Sequence, residues 1–141
     1  MEAYWEKEWE KGETGRELYR LAPKISMQRL KIHNDLPKAL SAILTQIRTG
    51  KAALRSYLHR IKRAPDSRCT CGDEQTGRHV LVECPNFKEL RKEIWPHNSQ
   101  PQSIQKILNE TWSAKKAAIY MVRTGLLGQF MEARNRLEVT A

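Results

Sequence analysis

A chain of 141 residues with 40% hydrophobic side chains suffices for one domain with a modest core, and its net charge of +9 suits a polyanionic partner. No apolar run approaches the ~20 residues of a membrane span, and the acidic, aromatic start MEAYWEKEWEKGE lacks the basic and apolar stretches of a secretory signal. The expected setting is intracellular and reducing, nuclear or cytoplasmic and not secreted, with no membrane partner and no small-molecule substrate.

Charge divides the chain unevenly. Residues 1–17 are net −3, residues 18–63 are net +10, and the remainder adds only +2. This suggests an acidic aromatic arm or linker over 1–17 and a helical domain over 18–141, with a cysteine knuckle at 68–85. Within the arm, the spacing of Tyr4, Trp5 and Trp9 predicts a short amphipathic helix over 3–11 that GETGR breaks. Asp35 is placed to cap the next helix, with Pro37 in its first turn. Leu40, Ile43, Leu44 and Ile47 keep helical spacing there, and Gly50 is its expected end.

A further helix over about 51–62 aligns Leu54, Tyr57, Leu58 and Ile61 on one face. Lys51, Arg55, His59 and Lys62 fall on another, a basic stripe suited either to a phosphate backbone or to plain solvation. Beyond the cysteines, Phe87 to Ile94 reads as helical, Pro96 and Pro101 bracket a loop, and SIQKILNE (103–110) predicts one or two helical turns. Ser113 is placed to cap a last helix whose buried stripe is Ile119, Val122, Leu126 and Phe130. The words QIRTG and MVRTG share R-T-G, which reads as coincidence. The fold class is mainly α: a small helical domain with an embedded CCHC zinc knuckle and, at its Cys pair, room for a short β-hairpin.

The stretch RCTCGDEQTGRHVLVECP, residues 68–85, holds all three cysteines of the chain. Three cysteines cannot all pair, and a Cys69–Cys71 bridge would be badly strained. Cys69, Cys71, His79 and Cys84, spaced C-x-C-x7-H-x4-C, instead make the three-thiolate, one-imidazole set that zinc binds tetrahedrally. Asp73 and His59 are weaker candidates for the fourth position. With four protein ligands the site is closed, hence structural and not catalytic. The H-x4-C half poses a geometric problem, because residues five apart on a regular α-helix lie about 140° out of phase. Pro85 disfavours helical geometry at Cys84, so an irregular last turn is expected to bring that sulfur round. Reduced cysteines in a small apolar cluster are the plainer alternative, but Cys69 and Cys71 sit among Arg, Asp, Thr and Gly.

These residues carry a family resemblance. ILTQIRTGKAALRSYLHRI, followed by CTCGDEQTGRHVLVECP and then ELR, resembles the region after the ribonuclease H domain in non-LTR (LINE-type) retrotransposon reverse transcriptase polyproteins. WEKEWEKGETGRELY is similar to the linker that precedes that region, and IYMVRTGLLGQF to the helix near the family's end, so the resemblance spans essentially the whole chain. It implies a helical C-terminal region whose zinc ligands fall on Cys69, Cys71, His79 and Cys84. Lys51 departs from the family, which often has His after R-T-G. The polymerase motif Tyr-x-Asp-Asp is missing, so the resemblance is to a non-catalytic tail, whether cut out, truncated or co-opted.

Two functions follow as expectations. In the first, the chain is a zinc-stabilised nucleic-acid-binding module for RNA or DNA, as the family segment is taken to be. Arg48, Lys51, Arg55, Arg60, Lys62 and Arg63 then contact phosphates, Arg68 and Arg78 flank the metal, and Tyr57 or Trp95 either stack on bases or, the commoner fate of such rings, pack in the core. In the second, it is a zinc-stapled protein-interaction domain whose Trp5 and Trp9 dock on a neighbour, such as the reverse transcriptase and ribonuclease H portion of a parent polyprotein. An enzyme is not expected. Asp35, Asp66, Asp73 and Glu74 form no acid–base pair, and His33 and His97 stand alone.

Overall fold

Helices dominate the computed structural model, which describes residues 2–24, 31–95, 103–130 and 135. In chain order they are α1 (Glu2–Lys11), α2 (Arg16–Leu21), α3 (Lys38–Thr49), α4 (Arg55–Arg60), a π-turn (His79–Glu83), a 3-10 turn (Pro85–Phe87), α5 (Lys88–Ile94), α6 (Ile104–Asn109), α7 (Thr111–Thr124) and a closing 3-10 turn (Gly128–Phe130). The mainly α class expected from the sequence is the observed one. Among the described residues no helix is long and apolar enough to cross a membrane. The loop expected between Pro96 and Pro101, with His97, lies outside the described residues.

Helix α7 is the hub, packing against α3, α5, α6 and the π-turn. Its buried face is not the bulky stripe the sequence suggested. Ala114, Ala117, Ala118 and Met121 are fully buried, Val122 nearly so, while Ile119, Leu126 and Phe130 are only partly covered. Alanines at the i, i+3 and i+4 positions suit close approach by a neighbouring helix, and α3, which packs on α7, buries Ile43 and Leu44 fully. Leu126 and Phe130 miss the stripe because the helix stops at Thr124. Ser113 lies inside α7, whose N-cap is Glu110, and likewise Asp35 does not cap α3, whose N-cap is Pro37.

Both R-T-G words do the same work. Gly50 and Gly125 stand in the left-handed region at φ 75° and 73°, where a side chain would be strained, and each follows the last residue of its helix. After α3 the Lys51 N–H donates to Gln46 O and the Gly50 N–H to Ile47 O, closing a full Schellman motif. Thr49 and Thr124 turn their hydroxyls back to Thr45 O and Met121 O within their own helices. The repetition is a shared stop signal.

The N-terminal helices hold each other. Arg16 lies over the rings of Trp9 and Tyr19 at 5.1 and 4.6 Å, and donates to the Trp9 and Glu10 carbonyls at the end of α1. Trp9 Nε1 donates to Ala22 O at 3.0 Å. The expected boundary between arm and domain, residue 17, falls inside α2. Tyr4 and Trp5, by contrast, remain exposed.

Candidate metal centre

After α4 the chain makes a tight loop that returns to the same helix. Cys69 N–H donates to Asp73 O at 2.7 Å and Gly72 N–H to Cys69 O at 2.9 Å. Room for a hairpin shrinks here to a single antiparallel bridge between Arg68 and Glu74. Asn86 and Thr70 clip the loop to the 3-10 turn through a 2.8 Å side-chain bond.

The loop then enters the π-turn, and the irregular geometry expected before Pro85 is what the structure has. Cys84 N–H donates to His79 O, five residues back, at 2.7 Å. This wider turn puts residue 84 above residue 79, where a regular helix would turn it away. Cys84 itself is extended, with ψ 121°, as a residue before proline should be. Val80 and Leu81, between the two ligands, are fully buried in the core and tie the turn to α7.

Cys69, Cys71, His79 and Cys84 converge, their ligand atoms all within 4.8 Å of one another. The sulfurs of Cys69 and Cys84 are 3.7 Å apart, those of Cys84 and Cys71 3.9 Å, and Cys71 Sγ lies 3.2 Å from His79 Nε2. All three cysteines are free thiols, so the cluster is not a disulfide. His79 Nδ1 faces the Glu83 carboxylate at 3.8 Å, which favours Nε2 as the donor atom. Burial pushes the Cys69 thiol up, yet the Cys71 N–H and the side chains of His79, Cys84 and Gln75 outweigh it and bring it to about 6. Cys84 is pushed up to about 11, mainly by burial. Four such donors at this separation can hold one metal ion. His59 and Asp73 are exposed and stand outside the cluster.

Two further residues, Gln75 and Arg91, serve this site without belonging to the cysteine–histidine spacing. Gln75 is buried, takes the Arg55 N–H on Oε1 at 2.9 Å and the Ser56 N–H on its carbonyl at 3.1 Å, and its side chain helps to hold the Cys69 thiol low. It bolts the first turn of α4 to the ligand loop. Arg91 is 7% exposed and donates to Val80 O, to Cys84 O and to Tyr120 Oη. For Gln75 no sequence signal exists; for Arg91 the sole hint was the word ELR.

The expected phosphate contacts divide. Lys51, Arg55, Arg60, Lys62, Arg63, Arg68 and Arg78 are exposed, and they lie on α4, on its flanks and on the ligand loop. Arg55 is 3.6 Å from Asp66 and Arg78 is 3.4 Å from Glu83, while no ion pair forms at the other five among the described residues. Arg48 is different: 6% exposed, it donates to Leu108 O and Asn109 Oδ1, joining α3 to α6. Its place is the core, because charge along a sequence carries no mark of burial. Trp95 is likewise buried, 5.6 Å from the Tyr120 ring and closed to any base, while Tyr57 is half-buried. Helix α4 ends at Arg60, short of the expected 62, and leaves Ile61 exposed.

Comparison with known proteins finds one relative of note. Over 91 residues, 64% of the chain, it is 30% identical to a protein of Nasonia vitripennis, the retrovirus-related Pol polyprotein from type-1 retrotransposable element R1 4. The matched stretch is 22% of that polyprotein's length. No family model and no solved structure matches the chain.

Proposed function

With its origin in a non-LTR retrotransposon Pol region as the premise, we propose that this chain is a zinc-stabilised nucleic-acid-binding module, non-catalytic by itself, from the part of the polyprotein that follows the ribonuclease H domain. Zinc is the fitting ion. Four ligands set tetrahedrally, with Zn–S near 2.3 Å, hold their sulfurs about 3.8 Å apart, and the observed separations are 3.7 and 3.9 Å. Bound zinc would supply cross-linking, not reactivity, since all four positions are protein side chains. Cys69 and Cys71 would hold it from the loop, His79 and Cys84 from the π-turn.

The observation that carries the binding reading is the exposure of Lys51, Arg60, Lys62, Arg63 and Arg68, with Arg55 and Arg78, which makes the surface of α4, its flanks and the ligand loop cationic. Gln75 ties α4 to the ligand loop, so the metal would set the attitude of that surface to a phosphate backbone. Three free thiols fit an intracellular compartment, nuclear or cytoplasmic. Partners would be RNA or DNA together with the reverse transcriptase and ribonuclease H portion of the polyprotein.

Gel shifts with single-stranded RNA and double-stranded DNA test this, comparing the native chain with an Arg55→Glu, Lys62→Glu double variant. Native binding should weaken about a thousandfold between 50 and 200 mM salt if some six phosphates are contacted, and the variant should bind poorly at any salt. Retention of neither nucleic acid by the native chain would hand the case to a second reading, a protein-interaction domain. Tyr4 and Trp5, 61% and 56% exposed on α1, favour that alternative.

A further inference from the structure

The π-turn that presents His79 and Cys84 creates a problem of its own. A carbonyl in such a turn accepts the N–H five residues on, as His79 O does from Cys84. For Val80 O that partner would be residue 85, and Pro85 has no N–H. The proline that frees Cys84 for the metal therefore orphans a fully buried carbonyl next to it.

We infer that Arg91 is the positioning residue of the metal centre, its guanidinium fork locking the π-turn in the shape that keeps Cys84 and His79 on one ion. This rests on the metal reading above. Arg91 Nη1 reaches Val80 O at 3.3 Å, Nη2 reaches Cys84 O, and Nη1 also meets Tyr120 Oη at 3.1 Å, while the Tyr120 hydroxyl donates to the same Val80 O. One carbonyl inside the turn and one at its end are thus gripped by one planar donor set, which a lysine cannot reproduce. The charge also fits: three thiolates, a neutral imidazole and a divalent ion sum to −1, and among the described residues no carboxylate pairs with Arg91. Arg48, the other buried cation described, is engaged at Leu108 and Asn109.

Cobalt titration of the full chain tests the inference, reading both affinity and the thiolate-to-cobalt charge-transfer bands. Arg91→Met should weaken cobalt binding by about 10- to 100-fold and remove the contribution of one of the three thiolates, that of Cys84. Arg91→Lys should recover little of either. Tyr120→Phe, which removes a donor to Val80 O and keeps the ring in the core, should shift affinity the same way by less, and it secures the test if Arg91→Met does not fold. Unchanged cobalt affinity in Arg91→Met or in Tyr120→Phe, or full rescue by Arg91→Lys, overturns the positioning role. A native chain that binds no cobalt removes the metal reading itself, and this inference with it.

Discussion

Helices α3 and α7 pack together and bury Ile43, Leu44, Ala114, Ala117, Ala118 and Met121 fully, none of them with a polar side chain. The segment from 68 to 91 is organised by polar atoms: sulfurs, an imidazole, an amide and a guanidinium, each aimed at a particular neighbour. The first region is held by area and close fit, which degrade gradually when altered. The second depends on a few directional contacts, so the loss of one leaves buried polar groups unmatched. The two are joined by Val80 and Leu81, which belong to both.

The sharpest way to break this contrast is at a ligand. Cys84→Ser, or a strong chelator acting on the native chain, should lower stability by more than about 4 kcal/mol, since metal loss belongs among the severe lesions. Thermal melts with zinc stoichiometry measured alongside check it, and a melting temperature indifferent to both treatments would show that apolar packing alone holds the molecule. Next in size is the apolar side. Leu44→Ala should cost about 2–5 kcal/mol through the cavity it leaves, yet the fraction that stays folded should bind cobalt as the native chain does; a parallel fall in metal affinity would deny that the regions are held separately. The smallest effect concerns Lys62, a lysine at φ 63° where the chain leaves α4. Lys62→Gly should raise stability by up to about 1 kcal/mol by relieving that conformation. It should also lower the salt slope of nucleic-acid binding by about one, so a slope equal to the native one would take Lys62 out of the interface.

What could be read in advance follows the range of the interactions. The convergence of Cys69, Cys71, His79 and Cys84 and the irregular turn before Pro85 are legible because they sit in 16 consecutive residues and obey local rules. The helix over 38–49 was legible from Leu40, Ile43, Leu44 and Ile47, with Gly50 as its stop. The same stop at Gly125 ends α7 earlier than its apolar spacing implies, because a left-handed glycine outweighs periodicity. Bulk points to Ile119, Leu126 and Phe130, whereas the fully buried positions of α7 include Ala114, Ala117 and Ala118, whose value depends on the helices packed over them. Arg48, Gln75 and Arg91 are not legible in the sequence, for one reason. Each is satisfied by backbone groups or amides brought close only by the fold, and no spacing in the sequence announces them.

The bolt made by Gln75 has a thermodynamic corollary. If the ion orders the loop and the loop orders the helix that meets phosphates, occupancy at either place must favour occupancy at the other by an equal factor. An RNA-bound molecule would then need more of a competing chelator to lose its zinc at equilibrium than a bare one. By the same reciprocity, oxidation of one sulfur would loosen the grip on the polynucleotide, and the module would report the redox state of its surroundings through what it releases.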